Sequence, residues 1–177
     1  SPGQIKIFDI GGGVPVSYHE KDDVFSIQEY VCLIKSSCPE LLDGRYRIVT
    51  EFGRYVHANS GWAVSSVEYV KEDPELSTAM VHLGADFLLR KCLQPHHWHF
   101  DISVMDEKGA LKQGAKRAYN IAGPLCFAGD IIAEQVLLPR IEQNDYVVIH
   151  DVGAYTLGIW SRYNSRQIPK VVGYRKE

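Results

Sequence analysis

The sequence predicts an α/β segment followed by an all-β domain, with the change near residue 60. The first observation is IKIFDI, residues 5–10, a short apolar strand candidate that stops at Gly11, Gly12 and Gly13, because three consecutive glycines hold neither strand nor helix cheaply. The second is SIQEYVCLIKSS, residues 26–37, where Ile27, Tyr30, Val31 and Ile34 fall at helical spacing behind Ser26, a good N-cap residue. RYRIVTEF, residues 45–52, reads as the next strand and Gly53 breaks it, which completes the strand, helix, strand order of a parallel α/β unit. The third is a change of texture from about residue 62. WAVSSVEYVKE, STAMVHLGA, HHWHFDISVMD, KRAYNIAG, DYVVIHDVGAY and KVVGYRKE are short β-rich stretches separated by turn residues. One helix is expected among them, around GDIIAEQVLLPRI, and turns are expected at EKG, 107–109, and QND, 143–145.

Composition excludes several classes of function. With 177 residues, 45% of them apolar, the chain can bury a sizeable core, so intrinsic disorder is excluded. No apolar run approaches the ~20 residues of a membrane span. The first residues, SPGQIKIFDI, lack the basic-then-apolar layout of a signal peptide. A net charge of −3 without a basic block gives no electrostatic footprint for nucleic acid or acidic lipid, and a small polar ligand is expected instead. Cys32, Cys38, Cys92 and Cys126 form no Cys-x-x-Cys pair and read as free thiols in a reducing compartment, the cytoplasm.

Five constellations have chemistry in reach. Asp9-Ile10-Gly11-Gly12-Gly13 ends a strand with N–H groups that an anion can approach closely, although a plain tight turn uses the same residues. Glu51-Phe52-Gly53-Arg54 sits at another strand's carboxyl end, where α/β proteins place ligand-binding groups; a surface ion pair is the alternative. Gly123-Pro124-Leu125-Cys126-Phe127-Ala128-Gly129-Asp130 sets a thiol in a loop of small residues, where it either exchanges a proton or lies buried and inert. Asp151-Val152-Gly153-Ala154-Tyr155, followed by Tyr163-Asn164-Ser165-Arg166, offers a tyrosine hydroxyl to a ligand or to the core. In His96-His97-Trp98-His99, His97 and His99 would share one face of a strand, a spacing compatible with metal, but no acidic third ligand accompanies them and no metal site is expected.

Taken in order, DIGGG, EFGRYVHANSG, GPLCFAGD and DVGAYTLGIWSRYNSR resemble the signature of the pyridoxal-phosphate decarboxylases with an alanine-racemase-like fold, the group of ornithine, arginine and diaminopimelate decarboxylases. The YNSR run brings the diaminopimelate branch closest. The resemblance implies the last strands of a cofactor-binding (β/α)8 barrel in residues 1–60, then a β-barrel or β-sandwich-like domain in 61–177 that contributes to the active site and to a head-to-tail homodimer. It further implies that Gly11, Gly12 and Gly13, with the backbone of Gly53 and Arg54, hold the phosphate of pyridoxal 5'-phosphate, that Glu51 faces the pyridine nitrogen and that Tyr155 reaches the phosphate. Cys126, delivered from the partner subunit, would be the catalytic acid, and Arg90 in GADFLLRKCLQP would engage a carboxylate of the amino-acid substrate.

The departures from that pattern bear on the substrate. Phe52 stands where the family usually has proline, Gln94 where the diaminopimelate enzymes usually have tyrosine, and Phe127 where the family carries an acidic residue for the distal amine. An apolar ring offers an ammonium only a cation–π face. The family's Schiff-base lysine and ring-stacking histidine both precede the glycine loop, and neither Lys6, Lys35, Lys91 nor Lys170 lies in such a setting. A (β/α)8 barrel needs about 250 residues. The sequence is therefore expected to work with a missing amino-terminal half of the same enzyme. The competing expectation is a non-catalytic homologue or fragment with a binding or regulatory role.

Overall fold

The computed structural model describes residues 3–19 and 24–175. The chain forms two compact units, Ser1–Trp62 with Asp151–Ala154, and Ala63–His150 with Tyr155–Glu177.

In the first unit, β1 (Ile7–Asp9) and β2 (Arg47–Val49) pair in parallel, with Ile7 opposite Arg47 and Asp9 opposite Val49. Parallel neighbours require a crossover, and α1 (Ile27–Ser37) lies in it. Its start is set by a capping box. The Glu29 N–H donates to Ser26 Oγ at 3.2 Å, and Glu29 Oε2 accepts from the Ser26 N–H at 2.8 Å. That bond from the Ser26 backbone, with a second from its hydroxyl, lowers the Glu29 carboxyl below its ordinary value. A short helix, α2 (Gly53–His57), follows β2. Phe52 packs edge-on against Tyr30 of α1 with centroids 5.4 Å apart, which gives the residue in the usual proline position a packing role.

The second unit holds a six-stranded sheet. In chain order its elements are β3 (Ala63–Lys71), β4 (Ser77–Val81), α3 (Leu89–Leu93), β5 (Ile102–Met105), β6 (Lys116–Ala122), β7 (Ile131–Pro139) and β8 (Tyr146–Ile149). The sheet order is β5-β8-β3-β4-β6-β7. Only β4 and β6 run parallel, and the outer strands β5 and β7 approach one another, so that the sheet is nearly closed into a barrel. Alternation along β3 buries Ala63, Ser65 and Val67 while Val64 faces out. Inside lie Val81, Val104, Tyr119, Ile121, Ile132, Leu138, Val147 and Ile149, all buried. The Tyr119 hydroxyl accepts from the Ile141 N–H at 3.0 Å, which satisfies both groups in the core.

Three sequence expectations need correction. GDIIAEQVLLPRI is not a helix but contains β7, paired antiparallel with β6. The reason is a β-bulge: Gln135 sits at φ 50 with its N–H donated to Asn120 Oδ1 at 3.0 Å, and the register shifts there. An extra residue changes the phase of the alternation, so that Ala133 and Val136, opposite the buried Ile121 and Tyr119, fall three apart as they would on a helix. In HHWHFDISVMD only Ile102–Met105 is a strand, and His97 lies in a turn, so His97 and His99 do not share a strand face. KVVGYRKE carries no strand over residues 170–175, and its last two residues lie outside the described part. The two expected turns are present: Asp106 Oδ1 accepts from the Lys108 and Ala110 N–H groups at 2.9 Å, and Asn144 takes a left-handed φ of 71. Among the described residues no helix is long and apolar enough to cross a membrane, and no three His, Cys, Asp or Glu side chains are grouped to hold a metal ion.

Candidate functional site

The parallel register of the first unit sets two of the sequence motifs side by side at the carboxyl ends of β1 and β2. The Ile10 N–H donates to the Val49 carbonyl at 3.0 Å and the Glu51 N–H to the Gly11 carbonyl at 2.8 Å, so the ladder continues past both strands into the loops. Gly12 is pressed on this contact, for a Cβ there would stand 2.8 Å from the Glu51 carbonyl oxygen. Gly13 takes a left-handed φ of 99 that side chains disfavour. The result is a side-chain-free cradle beside the exposed Glu51 carboxylate and the half-buried Arg54. Two of its N–H groups are already committed: Gly11 donates to Asp9 Oδ1 at 2.9 Å and Gly53 to the Glu51 carbonyl at 2.8 Å. These residues fit an anionic group against the glycines and a protonated ring nitrogen against Glu51, the two ends of pyridoxal phosphate.

In the second unit Arg90 and Tyr155 meet, although 65 positions separate them. The Arg90 guanidinium carbon lies 3.8 Å from the Tyr155 ring centroid and 5.1 Å from that of the buried Trp98, which in turn meets Tyr155 edge-on at 5.8 Å. A planar cation between two rings is fixed in orientation with its N–H groups left along its edge. Tyr155 itself has φ 58, a left-handed conformation that costs about 1–2 kcal/mol in a residue with a Cβ. Arg90 stacking on its ring opposes that cost. The motif therefore gives an exposed cation and a phenol hydroxyl held together.

Cys126 is exposed, in the loop between β6 and β7. That excludes the buried, inert alternative. Its loop hangs on Asp130, which is 3% exposed and whose two carboxylate oxygens accept from the Ala85 and Leu125 N–H groups, each at 2.6 Å. The carboxylate thus ties the β4–α3 loop to the cysteine loop. Gly84 and Gly123 are glycines for this reason, since a Cβ on either would come within 2.5 Å of an Asp130 oxygen. The Phe127 ring folds back over Gly129 and remains 42% exposed, so the apolar surface beside the thiol is open to a ligand.

Sequence reasoning passed over three residues of this region. Asp130 closes the GPLCFAGD motif but its second partner, Ala85, is 45 positions away. Trp98 carries no signal of its own in the sequence beyond the histidine run around it. Cys92 lies under the same loops, its thiol donating to the Ile131 carbonyl at 3.6 Å. Burial, assisted by the negative charge of Asp130, pushes the Cys92 thiol up to about 12 and keeps it protonated.

The chain belongs to the family of the pyridoxal-dependent decarboxylase C-terminal sheet domain, whose model matches residues 19–153. Among relatives, it is 32% identical over 92% of its length to diaminopimelate decarboxylase of Pseudomonas fluorescens and 29% identical over 96% to that of Buchnera aphidicola subsp. Acyrthosiphon pisum. It spans 36% and 43% of those two proteins, well under half of each. Among solved structures, diaminopimelate decarboxylase from Helicobacter pylori complexed with L-lysine matches at 29% identity and a TM-score of 0.76, covering 91% of this chain and 37% of that one. Lysine/ornithine decarboxylase from Vibrio vulnificus, complexed with cadaverine, matches at 26% identity and a TM-score of 0.74, covering 90% and 41%.

Proposed function

We propose that the chain is the carboxyl-terminal part of a pyridoxal-phosphate-dependent amino-acid decarboxylase, which removes the α-carboxylate of a basic or diamino amino acid as CO2. The observation that carries the reading is the meeting of the Gly11–Gly13 loop with Glu51 at the carboxyl ends of two parallel strands. A lone parallel pair is a small sheet to stand by itself, and parallel strands are ordinarily covered on both faces. Residues 1–60 therefore read as the last strands of a (β/α)8 barrel whose other strands come from the amino-terminal half, and residues 61–177 as the β domain, in a head-to-tail homodimer.

Pyridoxal phosphate, when bound, supplies the electron sink that makes loss of the carboxylate feasible. Gly12, Gly13 and Arg54 donate to its phosphate, and Gly11 and Gly53, whose N–H groups are already bonded within the loops, keep the backbone close to it. Glu51 holds the proton on its ring nitrogen, and Tyr155 donates its hydroxyl to the phosphate. Arg90, oriented by its stack on Tyr155, pairs with a substrate carboxylate. Cys126 holds the proton that takes the place of the departing carboxylate. Phe127, with no carboxylate to pair a distal ammonium, offers its ring face instead.

The test mixes the chain with the amino-terminal half and measures CO2 release from diaminopimelate, lysine, ornithine and arginine. Release from at least one, with a fall of about 100-fold or more in Cys126→Ala, is the expected result. Phe127 favours a second reading, a non-catalytic homologue that binds a decarboxylase or its regulator. Absence of release from every substrate in the panel would favour that reading over the first.

A further inference from the structure

Both main-chain polar groups of Cys126 are taken by consecutive side chains of one short turn. The Cys126 N–H donates to Asn164 Oδ1 at 2.8 Å, and the Cys126 carbonyl accepts from the Tyr163 hydroxyl at 3.1 Å. The turn, Tyr163–Ser165, puts Asn164 at φ 55 and Ser165 at φ 57. Asparagine tolerates the left-handed region better than most residues with a side chain, which suits it to this position. The turn is in turn moored at both sides on the buried Asp86: the Ser161 N–H donates to the Asp86 carbonyl at 2.9 Å, and Arg166 Nε stands 3.6 Å from Asp86 Oδ2 while its Nη2 donates to the His82 carbonyl. On the other flank Asp130 holds the Leu125 N–H. The thiol-bearing residue is thus exposed as a side chain and tethered as a backbone.

We propose that Asn164 and Tyr163 are positioning residues that clamp the Cys126 main chain and so aim its thiol, with Asp86 and Arg166 anchoring the clamp. This rests on the reading of Cys126 as the proton-bearing thiol. The main-chain geometry does not depend on that reading and is tested apart from it.

The experiment uses the full chain without cofactor or substrate. Hydrogen exchange of the Cys126 amide is followed by NMR, and alkylation of Cys126 by iodoacetamide is followed by peptide mass spectrometry, because Cys32 and Cys38 are also exposed. Asn164→Ala removes the acceptor and is expected to speed exchange at Cys126 by about 5- to 10-fold, with exchange at core amides such as those of Tyr119 and Val147 unchanged. Asn164→Asp keeps an acceptor at the same place and is expected to leave Cys126 exchange within about twofold. Its added charge, held against the Cys126 backbone in a watery setting, moves the pH profile of alkylation upward by about half a unit. Tyr163→Phe frees the Cys126 carbonyl and is expected to shift the amide resonance of Phe127, whose peptide group contains that carbonyl, without moving the alkylation profile. Unchanged Cys126 exchange in Asn164→Ala overturns the clamp, as does exchange in Asn164→Asp as fast as in Asn164→Ala. If the alanine variant fails to fold, the aspartate variant's exchange and alkylation profile decide alone. Normal CO2 release by Cys126→Ala beside the expected exchange results would leave the clamp standing and remove the role given to the thiol.

Discussion

Replacing Asp130 by asparagine exchanges one acceptor oxygen for an NH2 donor and leaves the shape of the side chain intact. The carboxylate now accepts two buried N–H groups, from Ala85 and Leu125, each at 2.6 Å. An amide can serve one of them, and its NH2 must then face the other, donor against donor. A hydrogen bond to a charged group contributes about 1.5–3 kcal/mol, and a buried N–H left without an acceptor costs about 1–3 kcal/mol. With the remaining bond reduced from charged to neutral, the loss sums to about 4 kcal/mol, a large part of the roughly 5–15 kcal/mol by which a domain is stable. In urea, at about 2 kcal/mol per molar, the unfolding midpoint followed by tryptophan fluorescence should fall by about 2 M. Hydrogen exchange at Ala85 and Leu125 should rise with it. A loss under about 1 kcal/mol, with exchange at both amides unchanged, would refute the assignment of Asp130 as the tie between the two loops.

Three further outcomes follow from the same structure. Gly123→Ala sets a Cβ 2.3 Å from Asp130 Oδ2 and should lower the thermal midpoint as Asp130→Asn does, whereas Gly109→Ala, in an open turn at φ 82, should cost only the ~1 kcal/mol of a strained backbone. Lys112→Met removes the ion pair at 2.7 Å to Asp145, which is 4% exposed, and should destabilise by about 3 kcal/mol in urea unfolding because a buried carboxylate loses its partner. Burial lowers the Lys112 ammonium while its bonds to Asp145 and Glu142 raise it, and the net shift is upward. A raised folded value means that the contribution is complete below the ordinary lysine range and fades as pH climbs through the folded value, so the wild type should lose stability relative to Lys112→Met only in strong alkali. Cys92, pushed up to about 12, should resist iodoacetamide at pH 8 while Cys32, Cys38 and Cys126 react, and equal labelling of all four in the native protein would contradict its burial.

The features legible in the sequence are those whose partners lie within a few residues. Ser26 and Glu29 announce the start of α1 because a capping box is complete in four positions, and the glycine loop announces the end of β1 because glycine's freedom is intrinsic. β7 looks helical in the sequence because a bulge is a property of pairing: Gln135 breaks the alternation only in company with Asn120 of β6. The stack of Arg90 on Tyr155 and the hold of Asn164 on Cys126 are hidden for the same reason, since each joins residues that only the folded sheet brings together.

One long-range feature nonetheless leaves a local trace. Gly84 and Gly123 are 39 positions apart in sequence, and in each a Cβ would strike the same Asp130 carboxylate. Neither takes a left-handed φ, so conformational freedom does not account for them, and close approach of a third group does. A glycine that its own backbone does not require is a sign of something pressed against it. Where two such glycines flank one buried acid, the acid is the joint of the structure. Here that joint carries the cysteine loop on one side and the loop leading to Arg90 on the other, which couples the stability of the domain to the geometry of both groups assigned to the chemistry.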